Sequence, residues 1–247
     1  MAYYQFSFTV SKTFIHPYYA RVYYPILVPS NNSSNSTTTQ YPMIRKIQWF
    51  EVPSYDAAIV ELEESIEISD SIRPACISTD YDQINTGSGT VVTSGWGSIV
   101  ECARPHFPCK IPNVLQGTEM FLISRQICNK HILEELQQSD TGNDIDIVID
   151  GEGLSMICAN DHSRVCKGDS GGKFFSYIFI QPELKIFLNN LGGLIKNIEG
   201  KATVIGLTSW GASAGPKACP LGRPAVYTNV ANAEISKWIE EIMNYAA

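Results

Sequence analysis

Residues 165–172 read V-C-K-G-D-S-G-G, and the fold of the chain turns on what that stretch is. Glycines on both sides of Ser170 let the backbone bend sharply and present the hydroxyl, the setting of a nucleophile. A serine hydroxyl is weak until a base takes its proton, so a histidine is required. The chain has four histidines, His16, His106, His131 and His162. Taken alone, G-D-S-G-G satisfies the G-x-S-x-G elbow of α/β-hydrolases, which needs a histidine later in the chain and a helix directly after the turn. No histidine follows Ser170, and the next residues, FFSYIFI (174–180), read as a strand. That class is excluded on both counts. An acid–His–Ser order is formally open through Asp56 and the middle histidines, but nothing around Ser170 supports it.

The 247 residues suffice for one large domain or two small ones with a sizeable core. Charged residues make up only 17% and hydrophobic ones 44%, which argues for a compact, loop-rich globular chain over a disordered one. A net charge of −7 gives no electrostatic case for nucleic acid or an anionic membrane surface. No apolar run approaches the roughly 20 residues of a membrane span. The opening MAYYQFSFTV lacks a basic region followed by an apolar one and does not read as a signal peptide. Seven cysteines and three glycosylation sequons, at Asn31, Asn32 and Asn35, nevertheless point to an oxidising, extracellular setting. The conflict leads to the expectation that the chain lacks its own beginning.

QFSFTVSKTFI (5–15) alternates apolar and polar residues, predicting a half-buried strand with Phe6, Phe8 and Val10 on one face. SNNSSNSTTTQ (30–40) is polar and low in complexity, an exposed loop. AAIVEL after Asp56, and then GTVVTSGWG, ATVIGLTSWG and AVYTNV, are short strands between Gly-, Ser- and Pro-marked turns. Two stretches read as helices. One begins near Ser124 and runs through RQICNKHILEEL. The other is NAEISKWIEEIMN, with Asn232 as cap and Ile235, Trp238, Ile239, Ile242 and Met243 on one face.

With these in place, six stretches follow one another in a familiar order: YDAAIVEL (55–62), SGWG (94–97), MICA (156–159), CKGDSGG (166–172), TSWG (208–211) and PAVYTNV (224–230). In this the sequence resembles the chymotrypsin/trypsin-like serine protease family, over most of its length. The resemblance implies an all-β chymotrypsin-like double barrel with a C-terminal helix. Residues 1–84 would be the remnant of a first barrel, only partly present, and 85–247 a complete second barrel with the helix. It makes Asp56 and Ser170 catalytic, with an oxyanion hole from the backbone N–H groups of Gly168 and Ser170. Ser209 would help hold Asp56, and Arg164, Ser209, Trp210, Gly211 and Ala225 would contact substrate. Cys128–Cys158 and Cys166–Cys219 would be bridges flanking the site. Cys102 and Cys109, in the insertion ECARPHFPCK, would pair locally, leaving Cys76 for a segment upstream.

Family order is His, Asp, Ser, so the base should precede Asp56, and only His16 does. Its context, FIHPYY, lacks the A-A-H-C setting of a catalytic histidine and resembles a structural stretch between that histidine and the aspartate. His106, His131 and His162 read as ordinary surface residues. Also missing is an I-V-G-G-like start, whose freed amino group would pair with Asp169. The expected activity is therefore peptide-bond hydrolysis through an acyl-enzyme on Ser170, with this chain alone inactive or very weak. The alternative is a non-catalytic pseudoprotease serving as a protein-binding module. Arg164 at the pocket base argues against cleavage after Lys or Arg. It could favour acidic side chains, or fold away against Asp161. Lys173 replaces the usual proline after G-D-S-G-G, and residues 129–155 and 176–203 are long for the family. The acidic run Asp140, Asp144, Asp146, Asp150 and Glu152 lacks the spacing and glycine of an EF-hand, so no metal or cofactor is expected. Partners would be protein or peptide substrates and protease inhibitors.

Overall fold

The computed structural model describes residues 9–28, 46–69, 74–79, 90–98, 102–103, 112–138, 155–160, 169, 186–188, 193–211, 217–218 and 224–246. Strands come in the order β1 (Val10–Ile15), β2 (Ala20–Val28), β3 (Lys46–Ser54), β4 (Ala58–Leu62), β5 (Cys76–Ile77), β6 (Thr90–Gly95), β7 (Cys102–Ala103) and β8 (Gln116–Ile123). Helix α1 (Arg125–Gln138) follows, then β9 (Met156–Asn160), β10 (Ile186–Leu188), β11 (Leu194–Ile198), β12 (Lys201–Gly211), β13 (Lys217–Ala218), β14 (Ala225–Asn229) and helix α2 (Ala233–Ala246). This is the expected all-β architecture closed by a terminal helix.

Six strands form a closed antiparallel barrel, in the order β11–β6–β8–β9–β14–β12, with β12 returning to β11. Closure leaves none of the six with a bare edge. The period-2 pattern decides what fills it: Val91, Met120, Leu122, Ile157 and Ala159 point inward and are buried, while Val92 and Phe121 point outward and are exposed. Leu194, Ile205, Ala225 and Tyr227 complete the interior. Gly206 sits where a Cβ would come to 3.0 Å from both Ile157 and Tyr227, so a side chain there would require those neighbours to give way by a few tenths of an ångström. β5 pairs in parallel with the first part of β12, ahead of the stretch that pairs with β14, with Cys76 beside Thr203.

A second sheet, β1–β4–β10, lies against the barrel, and β2 and β3 form a long hairpin of their own. Ala57 and Ile59 share one core with Val204 and Leu207 of β12 and with Ile235, Trp238 and Ile239 of α2. Burying each large side chain in that core contributes roughly 1.5–3 kcal/mol. The apolar face read for α2 is the buried one, and Asn232 caps it: Oδ1 accepts from the N–H groups of Glu234 at 3.1 Å and Ile235 at 3.2 Å. Helix α1 starts as expected at Ser124, whose Oγ accepts from Ile127 N–H at 3.3 Å. Cys128 of α1 is bridged to Cys158 of β9, tying helix to barrel.

One expectation needs correcting. The strand β1 forms, but Val10 is 44% exposed and the side chain turned toward the core is Phe14. Lys12 explains part of this: its ammonium lies 4.4 Å from the Phe14 ring centroid and 5.3 Å from that of Tyr245. The pairing of β1 with β4 also shifts register between Val10 and Lys12, so alternation does not run unbroken along the strand. Phe6 and Phe8, and the stretch FFSYIFI, lie outside the described residues.

Candidate active site

Asp56 sits on the turn between β3 and β4, and the backbone there is unusual. Tyr55 has φ of 50°, in the left-handed region that a bulky residue rarely enters, and Ala57 N–H closes the turn on Tyr55 C=O at 2.8 Å. Such a conformation costs about 1–3 kcal/mol and persists only where its surroundings hold it. Two hydroxyls do part of the holding. Ser209 Oγ–H donates to Asp56 Oδ2 at 2.7 Å, and Thr228 Oγ1–H donates to the Asp56 carbonyl at 2.8 Å. The first is short, as befits a bond to a carboxylate. Oδ1 bonds to none of the described residues, which leaves it open to another donor.

Strand irregularity aims Ser209. In the β12–β14 ladder Thr208 faces Tyr227 and Trp210 faces Val226, so Ser209 is the extra residue of a bulge. A bulge turns one side chain away from the regular alternation, here toward Asp56. Gly211 pairs with Ala225 at the strand end, where Gly211 is exposed and Ala225 is buried in the barrel. Trp210, opposite Val226, is half-buried.

Across the barrel, Asp169 is the described part of the G-D-S-G-G turn. Its carboxylate is buried and accepts from Gly97 N–H at 2.7 Å. A Cβ on Gly95 or Gly97 would overlap that carboxylate. Gly95 and Gly97 of the S-G-W-G stretch thus make room for the Asp169 carboxylate. Beneath it Tyr227 donates its hydroxyl to Met120 Sδ at 3.3 Å. Burial pushes the Tyr227 phenol up, the hydrogen bond with Thr93 opposes this, and the negative charge of Asp169 adds to it.

His16 is 2% exposed and does not reach the Asp56 carboxylate. Its ring stacks on Tyr55 with centroids 5.0 Å apart and meets Trp238 edge-on at 4.8 Å. Nδ1 accepts from Tyr18 N–H at 3.1 Å, and Nε2 is buried with no partner within hydrogen-bond distance. Burial holds its pKa below the ordinary 6.5, and the backbone and charge of Glu234 offset that only in part. His131 lies on α1, half-buried.

Ser170, Gly168, Arg164, His106, His162, Cys109, Cys166, Cys219, Lys173, Asn31, Asn32, Asn35 and the acidic run 140–152 lie outside the described residues. The backbone of Cys102 forms part of β7, which pairs with β13, and Cys76 is exposed with a free thiol. Among the described residues no three His, Cys, Asp or Glu side chains converge to hold a metal, and no helix is long and apolar enough to cross a membrane.

Reading the sequence missed Thr228, the bulge at Ser209 and the job of Gly95 and Gly97. Thr228 carried no local signal, because its partner is a backbone carbonyl 172 residues away. The two glycines stood out in S-G-W-G, but only the folded chain brings Asp169 between them.

The family model described as Trypsin matches residues 22–177, more than half of the chain. The chain belongs to the trypsin family. Among curated trypsin-type relatives, human testisin is 28% identical over 193 residues, covering 76% of this chain and 48% of testisin. Human atrial natriuretic peptide-converting enzyme is 29% identical over 192 residues, 76% of this chain and 14% of that protein. Mouse ovochymase-2 is 24% identical over 194 residues, 75% of this chain and 25% of that protein. The chain thus spans half or less of the trypsin-family relatives it matches.

Proposed function

We propose that the chain carries the nucleophile and the acid of a serine endopeptidase. The observation that carries this reading is Asp56: its carboxylate is held through Oδ2 by Ser209, its backbone carbonyl is held by Thr228, and Oδ1 is left for an imidazole N–H. In the reaction, Ser170 Oγ attacks the carbonyl carbon of a peptide bond as its proton passes to an imidazole base. The N–H groups of Gly168 and Ser170 bind the oxyanion, the base gives the proton to the departing amine, and water then hydrolyses the ester and restores Ser170. Asp56 orients the imidazole and stabilises its charged form.

None of the four histidines is proposed as that base. The trypsin-family order puts it before Asp56, and His16, the histidine there, is packed against Tyr55 and Trp238. Supplied with no other base, these 247 residues would keep only the 10³–10⁴-fold over water that binding and an oxyanion hole typically leave, roughly. The buried His16 is also the observation that favours the second reading, a pseudoprotease that binds protein without cutting it. The same reading takes protein or peptide substrates and protease inhibitors as partners, with no preference for Lys or Arg, because the family resemblance assigns Arg164 to the pocket base. Residues 1–84 belong in it to the first barrel and 85–247 to the second. The Cys128–Cys158 bridge supports an oxidising, extracellular location.

A fluorophosphonate probe tests this, with Ser170→Ala as the control. Slow labelling that is confined to Ser170, and is accelerated by added imidazole, is expected. Rapid labelling without imidazole would overturn the claim that none of the four histidines serves. No labelling at any imidazole concentration, in a folded chain, would leave the binding module.

A further inference from the structure

His16 touches both neighbours of Asp56. Its ring stacks on Tyr55, the residue before, and its backbone N–H donates to the carbonyl of Ala57, the residue after, at 3.0 Å. The same ring meets Trp238 of α2, which is itself in the core shared by β4 and β12. Tyr18 closes the cluster, lying edge-on to both His16 and Tyr55. Ser209 and Thr228 hold Asp56 from the barrel side, and His16 holds the turn from the other. We infer that His16 is a positioning residue for Asp56: it keeps Tyr55 in its left-handed conformation, and it does so only as a neutral imidazole.

The requirement for neutrality follows from hydrogen bonding. Because Nδ1 accepts from Tyr18 N–H, the neutral ring carries its proton on Nε2. A second proton would have to go on Nδ1, where it would face the Tyr18 N–H, donor against donor. The charge would also be enclosed by Tyr55 and Trp238, where burial disfavours it more than the backbone and carboxylate of Glu234 favour it. The ionisable groups around it are few. Glu234 on α2 would favour the charged ring, Tyr18 is on the ring's own segment, and the Asp56 carboxylate beside Tyr55 is turned to Ser209. Burial outweighs Glu234, so acidification first strains this cluster and then releases the turn.

The functional importance of this rests on Asp56 being the acid of the site; the geometry does not, and the test reads geometry alone. NMR of the full chain would follow three signals from pH 8 to pH 5: the His16 ring protons, the Asp56 carboxyl carbon assigned with Asp56→Asn, and the Tyr55 amide coupling that reports φ. The expected result is one shared midpoint below 6.5 for all three, absent from the Tyr55 and Asp56 signals in His16→Phe. A change at Asp56 with no change in Tyr55 φ would mean only a through-space charge effect and would overturn the inference. So would a shared midpoint that persists in His16→Phe. The wild-type titration decides by itself if that variant does not fold. Loss of serine labelling would bear on the proposed function and not on this result.

Discussion

The six-stranded barrel closes on itself, whereas the described sheet β1–β4–β10 ends in β1 on one side and borrows cover from α2. Barrel residues such as Met120, Leu194 and Ile205 are buried by other barrel strands. Ile59 and Ala57 are buried by a helix from the far end of the chain and by the outer face of β12. One region carries its own stability, and the other holds its shape on loan from elements distant in sequence. The candidate site lies across that divide. Asp56 stands on the open side but is gripped by two hydroxyls of the barrel, while Asp169 belongs wholly to the barrel.

The sharpest way to break this comparison is Trp238→Ala. Truncating a buried tryptophan costs about 4 kcal/mol. The open sheet should bear most of it, so hydrogen exchange at the amides of β4 should accelerate while those of β8 and β9 stay protected. Equal loss in both regions would show one cooperative unit and dissolve the distinction. Gly97→Ala acts on the barrel side. A methyl there must displace the buried Asp169 carboxylate and its hydrogen bond, for a loss of about 3 kcal/mol by urea unfolding. Gly211→Ala is its control, since a Cβ at Gly211 meets nothing within 4 Å among the described residues, and should change stability by less than about 0.5 kcal/mol. Asn232→Ala removes the cap of α2 and should cost about 1 kcal/mol in the same assay.

The mildest effect is a slope. His16 is held below its ordinary 6.5 in the folded state, so between the two values the unfolded chain binds the proton and the folded chain does not. Its contribution is complete above 6.5 and is lost as pH falls through and below that value. Melting temperatures of the wild type should therefore fall more steeply on the acid side than those of His16→Phe.

Local pattern was enough wherever the structure is local. The strands around SGWG, TSWG and AVYTNV, the strand after Asp56, both helices and the Asn232 cap followed from periodicity, turn residues and capping chemistry, whereas β8 was not read from the sequence at all. The pairing of Cys128 with Cys158, and the placing of Ser209 beside Asp56, followed from likeness to the trypsin family and not from any rule of spacing. What escaped was set by contacts far apart in sequence. The Lys12 ammonium of β1 lies over the ring of Tyr245, near the other end of the chain, a contact that no local pattern announces. The left-handed Tyr55 had no glycine or asparagine to announce it, since the conformation is imposed by His16, Ser209 and Thr228 together.

Tyr227 lies at the centre of the barrel, its hydroxyl on the Met120 sulfur and its phenolate disfavoured by burial. Twelve tyrosines are present, and those in contact with water absorb differently once alkali strips their protons. Tyr227 should keep its proton through that rise and lose it only when the strands part. The barrel thus contains its own optical gauge, silent while it is shut.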